Sequence, residues 1–497
     1  MLVAHRSITR RDLIGRVCFG FIALPLLSAC GGAATSATTP ATGAAAAGST
    51  APTVSTAAAS TAISSSTGAT TAAPVAASTA ANTSAANSAI AFWHWGDQSY
   101  LKRYQALAAA FHAANPAVAV NATLITTDLT GKLLAAVAGG TPPESFVLDF
   151  QLAQGFAKKN ILTNIDARVH ASRLLKLDQY GKLATGAMSY RGKWVGLPGV
   201  GIPGGAAPNL IFYNEGHFQE AGLPTPYDQW KKDAWTWDTF LQACQKLVKR
   251  DSTGKMTTVP LNGGMVRLWL NAAGGQEFDD VFVPTKSLYD QAPAIKALQF
   301  EQDLRYKYRV QPVVSVKAET GQADDQAFMN GRLSMSLRWT TGINLYRSIN
   351  NFKWGMAPYP KATNYATDYT AAGLAIPTGA KHVDAAWSWI EWASSPDGQK
   401  VDAATTTGVP FDPGAQQVFT ESLKQIPQLT TPDTAVTLIN DSKISFLRLL
   451  SVDQDRISSQ AINPPMAKLW KNQASASTTG QSITQLADAF LKANPQG

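Results

Sequence analysis

The 497-residue chain has three cysteines, six histidines and not one charged residue between positions 31 and 89. Cys18 and Cys30 fall in an N-terminal segment that reads as an export signal, so Cys244 is alone in the mature chain and no disulfide can close within it. Cys244 shares a helical face with Phe240, Leu241, Leu247 and Val248, which makes it a buried structural thiol rather than a nucleophile. The histidines beyond residue 90 (His94, His112, His170, His217 and His382) are scattered, and neither a His-Glu-x-x-His pair nor a Gly-x-Ser-x-Gly elbow occurs. These absences remove the usual metallohydrolase and serine-hydrolase readings, and no metal or cofactor is expected. No apolar run after residue 90 is long enough for a transmembrane helix.

At the N-terminus, Arg6, Arg10, Arg11 and Arg16 flank an apolar run, Val17 to Leu27, too short to span a bilayer. Thr9-Arg10-Arg11-Asp12-Leu13-Ile14 resembles a twin-arginine signal, and Leu27-Ser28-Ala29-Cys30 a bacterial lipobox, in which Cys30 would be lipidated after cleavage. Residues 1–30 are thus expected to be a lipoprotein export signal that leaves the protein anchored to a membrane rather than spanning it. Residues 31–89 are almost all Ala, Ser, Thr and Gly, and read as a disordered tether reaching on the order of 40 Å. The signal carries four Arg and one Asp, so its removal lowers the net charge from +8 to +5. That mild excess is no nucleic-acid footprint.

All thirteen tryptophans lie beyond residue 90, in a stretch longer than one hydrophobic core usually supports. Ala89 to Trp95 reads as a strand; Tyr100, Leu101, Tyr104, Leu107 and Phe111 then recur at helical spacing until Asn115-Pro116. A strand over 117–125, a helix over 129–137, a strand over 145–149 and a helix over 151–159 follow. This alternation predicts an α/β fold with a parallel sheet, whose ligands sit beyond the carboxyl ends of the strands. Leu197 to Ala207 is a Gly/Pro-punctuated hinge crossing; its formal G-x-G-x-x-G match, Gly199, Gly201 and Gly204, contains Pro203 and lacks the strand and helix a nucleotide site needs. Thr236 is expected to cap the helix that begins at Trp237.

The segments 91-AFWHWGD-97, 107-LAAAFHAANPAVAV-120, 137-VAGGTPPESFVLD-149, 212-FYNEGHFQEAGLPTP-226, 235-AWTWDTFLQACQKL-248, 327-AFMNGRLSMSLRW-339 and 371-AAGLAIPTGAKHVDAAWSWIEWASSPDGQ-399 occur in the order seen in extracellular solute-binding proteins. The set resembles their carbohydrate-binding, maltose-binding-protein-like class, which serves ABC importers. That resemblance implies the type II periplasmic-binding-protein architecture: two doubly wound α/β lobes joined by a hinge, with the ligand between them. The first lobe would take 90–202 and 371–415, the second 203–370 and 416–497. It also implies a mono- or oligosaccharide ligand, importer permease subunits as partners, no catalysis and a monomer. In this chain Glu144 follows Thr-Pro-Pro, and Leu337-Arg338-Trp339 replaces the family's Gly-x-Trp, so Arg338 marks either an anionic ligand group or a surface charge.

Sugars present apolar C–H faces ringed by hydroxyls, so their sites need flat aromatic rings beside carboxylates or amides. The candidate ligand-binding residues on that basis are Trp95, Gly96, Asp97, Asp149 and Trp269, with Tyr213, Asn214, Trp339 and Gly373 implied by the resemblance. Trp93 is expected to point into the core, Trp95 out of it, and His94 to face away from both. Asp149 and Asn214 have competing readings as helix caps, and Tyr213 and Trp269 as core residues. Trp387 and Trp392 are assigned to packing, and Asp279-Asp280 and Asp324-Asp325 to solvated loops. Two other readings stay open: a secreted glycan-degrading lipoprotein, for which no carboxylate pair stands out, and a receptor of the same fold for a non-sugar solute.

Overall fold

A computed structural model of the chain describes residues 88–198, 206–441, 445–446 and 448–496. The export signal, Cys30, residues 31–87 of the tether and the glycines at 199, 201 and 204 lie outside the described residues, while Ser88 and Ala89, expected at the tether's end, belong to the first strand.

The described chain opens with β1 (Ser88–His94), α1 (Gln98–Ala114), β2 (Val118–Leu124), α2 (Leu129–Ala138), β3 (Ser145–Asp149) and α3 (Phe150–Lys158), each within two residues of its expected bounds. β1 lies between β2 and β3 and runs parallel to both. Then come β4 (Leu197–Pro198), β5 (Ala206–Asn214), α4 (Trp237–Leu247), β6 (Lys249–Arg250), β7 (Met256–Leu261), α5 (Val266–Ala272), α6 (Ala292–Tyr306), α7 (Asp324–Met329), β8 (Leu333–Trp339), β9 (Trp354–Ala357), β10 (Tyr369–Ala375), α8 (Val383–Ser394) and α9 (Pro396–Ala403). Thr236 caps α4 by accepting from the Thr239 N–H.

One sheet carries these strands in the order β2-β1-β3-β10-β5-β8-β7-β6, with β9 also on β5 and β4 on β10. Two hydrophobic cores form on it. In the first, Ile90, Phe92, Phe111, Leu148 and Trp389 are packed; in the second, Phe212, Trp235, Phe240, Trp269, Trp354 and Tyr359. Fully burying one such side chain is worth about 1.5–3 kcal/mol. A small third core joins Phe278, Leu449, Ile457 and Phe490.

β10 is where the cores meet. Its C-terminal half pairs antiparallel with β3, and its first three residues pair with Ala206–Pro208 of β5. The antiparallel insertion of β10 beside β3 was not legible from the β-α-β alternation, because it pairs residues more than 200 positions apart.

The alternation of side chains along β1 corrects one expectation. Trp93 and Trp95 are two residues apart and share a face. Phe92 and His94 are the inward pair, both 0% exposed, while Trp93 is half-buried and packs on the core from outside. Asp324 and Asp325 are not on a solvated loop either: they open α7, and both are half-buried.

Candidate functional site

The carboxyl ends of the strands converge on the junction between the cores. Asp149, ending β3, stands opposite Ala372 of β10; Ala371 stands opposite Ala206 of β5; and Trp339, ending β8, stands opposite Asn209 of β5. Asp149 and Trp339 therefore flank the strands that link the two cores.

On the first-core side, β1 runs out into Trp95-Gly96-Asp97. Trp95 is half-buried and leans on Tyr100, with ring centroids 5.6 Å apart at 38°. Gly96 has φ +121°, and a Cβ there would stand 2.6 Å from the Tyr100 ring, so glycine is what lets the turn close under Trp95. The exposed Asp97 carboxylate caps α1, accepting from Ser99 N–H at 2.7 Å and from Tyr100 N–H at 3.4 Å. These bonds, led by the Ser99 hydroxyl, hold its pKa below the usual value. Asp149 caps α3 through Gln151 N–H at 2.9 Å. Burial nevertheless raises its pKa against that hydrogen bond and the nearby Arg448 charge. Glu144 accepts from the Ala91 N–H at 2.8 Å and so ties the start of β3 to β1.

On the other side, Trp339 is half-buried, with its indole N–H buried and unpaired among the described residues. Arg338 is not a free surface charge, because both oxygens of Asp325 accept from its Nη1 at 2.6 Å. Asp324 in turn accepts from Asn262 Nδ2 at 3.0 Å.

Four of the expected site residues are buried in this conformation. Tyr213 lies in the second core against Phe218, and Asn214 caps the following helix through the His217 N–H at 3.3 Å. Trp269 is 0% exposed, ringed by Trp237, Phe240, Phe300 and Tyr359. Gly373 lies in mid-sheet, where a Cβ would overlap the Leu197 carbonyl. The apolar neighbours Leu268 and Leu270 were the signal for Trp269.

What sequence reading missed is an ionic cluster at the junction. Asp368, immediately before β10 and 0% exposed, accepts from Arg267 Nε at 2.8 Å and Nη2 at 2.5 Å. Arg448 is close enough to Arg267, Asp368, Asp149 and Glu277 to feel their charges, and burial pushes its pKa down. The Tyr289 hydroxyl donates to Glu277 at 2.5 Å. A cavity of about 10 Å³, roughly one water in size, is lined by Glu277, Phe278, Arg448 and Leu449 among others. The described residues include no group of three or more His, Cys, Asp or Glu arranged to hold a metal ion. None of their helices is long and apolar enough to cross a membrane.

The fold recurs in solved structures. An ABC substrate-binding protein from Listeria monocytogenes in complex with cycloalternan superposes with a TM-score of 0.65 at 18% identity, covering 82% of this chain and 99% of that one. The sugar-binding protein MalE from Xanthomonas citri gives 0.64 at 20%, covering 82% and 98%. The GacH receptor of Streptomyces glaucescens, solved unliganded and with acarbose, gives 0.61 at 17%, covering 82% and 98%. The architecture is thus that of the type II periplasmic binding proteins. Residues 106–431 match the model of the bacterial extracellular solute-binding proteins, and the chain belongs to that family. No curated protein matches it.

Proposed function

We propose that the protein is a receptor that binds a neutral mono- or oligosaccharide between two α/β lobes and delivers it to an ABC importer. The observation that carries this reading is the convergence of the β3 and β8 ends, with Asp149 and Trp339, on the strands that join the cores, while β1, paired with β3, runs out into Trp95. The structural relatives named above, a sugar-binding protein and two proteins solved with cycloalternan or acarbose, support the ligand class. The lobes would be 90–202 with 371–415 and 203–370 with 416–497, closing on the ligand by hinge bending. Trp95 would stack on a sugar ring, with Gly96, Asp97, Asp149 and Trp339 at its edges. Lipidation of Cys30 and the tether would hold this non-catalytic receptor on the outer face of a membrane, raising its effective concentration at the permease.

The test is titration of the purified full-length chain with maltose, maltotriose, mannobiose, mannotriose and tagatose, followed by tryptophan fluorescence and melting temperature. A bound sugar at 100 times its Kd stabilises the fold by about 2.7 kcal/mol. Silence toward every sugar, with a response to amino acids or polyamines, would replace the substrate class; release of product from a polysaccharide would make the protein a glycosidase.

A further inference from the structure

Asp368 sits where the sheet passes from one core to the other, and its two carboxylate oxygens are used unequally. Oδ2 takes both Arg267 donors, whereas Oδ1, equally buried, has no hydrogen-bond partner among the described residues. Its main chain is fixed as well, since the Asp368 carbonyl accepts from the Asn209 N–H at 2.8 Å. A buried polar atom without a partner costs about 1–3 kcal/mol, and more when it is charged. Glu301 Oε2 is likewise unpaired and buried. It differs in place: the other Glu301 oxygen is engaged by Arg305 and the Gly264 N–H, and α6 packs in the second core rather than at the junction.

The charge around Asp368 narrows what it receives. Asp368 and Glu277 act on both Arg267 and Arg448, and Asp149 on Arg448, three carboxylates to two guanidiniums. Both cations already face carboxylates, so an anionic ligand would meet net negative charge at the junction, whereas a hydroxyl would donate to an oxygen held ready for it.

We propose that Asp368 Oδ1 accepts a hydroxyl of the bound sugar, with Arg267 as its positioning residue, and that this cluster selects neutral over anionic sugars. The proposal rests on the sugar-receptor reading. Asp368 is 0% exposed in this conformation, so the hydroxyl reaches it only once the lobes part.

The experiment compares wild type, Asp368→Asn and Arg267→Lys in the full chain by calorimetry. The probes are the tightest-binding sugar of the panel and the aldonic acid made by oxidising its reducing end or, for tagatose, by using galactonate. Asp368→Asn is expected to weaken the neutral sugar about 10-fold or more, the equivalent of about 1.4 kcal/mol, and to narrow the preference for neutral over anionic probe. Arg267→Lys should show a smaller loss in the same direction, because a single ammonium cannot reproduce the fork. A purely structural Asp368 would lower the melting temperature without changing that preference. Unaltered neutral-sugar affinity in Asp368→Asn overturns the proposal and leaves the receptor reading standing. A wild type that binds no panel sugar sinks the receptor reading and the proposal with it. If Asp368→Asn fails to fold, equal wild-type affinity for neutral and anionic probes overturns the selectivity.

Discussion

His94 is a titratable ring placed in an apolar core, between Phe92 at 5.9 Å and Tyr104 at 4.6 Å. Its Nδ1 lies 3.1 Å from the Trp95 carbonyl, to which the neutral ring donates. Burial lowers its pKa, the Trp95 hydrogen bond opposes this, and the Arg103 charge adds to the lowering. Burial and Lys249 depress His217 in the same way. A histidine depressed in the fold stays neutral there while the unfolded chain protonates near pH 6.5. The unfolded state then holds more protons, so stability is complete above about pH 6.5 and falls as pH drops toward the folded value, by up to about 1.4 kcal/mol per pH unit for each group. The urea midpoint should therefore be lower at pH 5.5 than at 7.5, and His94→Gln should flatten part of that dependence; a pH dependence unchanged by His94→Gln would show that His94 is not depressed. Trp95 makes the contrasting case, a large ring left half-buried at a strand end. Trp95→Ala should weaken sugar binding about 10-fold with little loss of melting temperature, a stacked ring being worth roughly 1 kcal/mol or more; unchanged affinity would assign Trp95 to packing. The tryptophan and its glycine turn were legible because they are consecutive in sequence. Asp368 was not, since its partner Arg267 lies 101 residues away and nothing local marks either as buried.

Among the elements, α1 is secured to α9 by charge as well as by packing. Arg103 donates from Nη2 to Asp402 at 2.8 Å and from Nε to the other oxygen, with 6% and 1% of the two side chains exposed. The guanidinium also lies 4.8 Å over the Tyr104 ring. The pair holds a helix read from the first motif against one drawn from residues 396–403, across 299 positions. Removing one partner of a buried pair strands the other charge, at a cost of about 3–5 kcal/mol. Asp402→Ala should lower the melting temperature by on the order of 10 °C, and a shift under 2 °C would mean that water already reaches Arg103. The same distance in sequence explains what was missed in the sheet. The helices and parallel strands over 88–158 follow from local periodicity, whereas the placement of β10 between β3 and β5 depends on Gly373 passing the Leu197 carbonyl, a contact no periodicity encodes. Gly373, expected at the ligand, is accounted for by that close approach.

For the molecule as a whole, the question is what holds the two cores together across the junction. The loop after Phe278 reaches across. Asp279 accepts from Thr285 N–H at 2.9 Å and Lys286 N–H at 3.0 Å, Asp280 from Phe282 N–H at 2.7 Å, and the Val281 carbonyl from Leu450 N–H at 2.7 Å. So braced, the loop packs the Phe282 ring on the first core, where a Cβ on Gly186 would stand 2.5 Å from it. Phe278, four residues earlier, belongs to the third core with Leu449 and Phe490. Phe282 thus touches the first core without being part of its sequence. Phe282→Ala should raise the fraction of open molecules without sugar, seen as a larger radius of gyration in solution scattering. If the lobes close on a sugar as proposed, the bound form loses the same contact, and dissociation should be several-fold faster and association no slower. If scattering and the dissociation rate both match wild type, the Phe282 contact contributes nothing to closure.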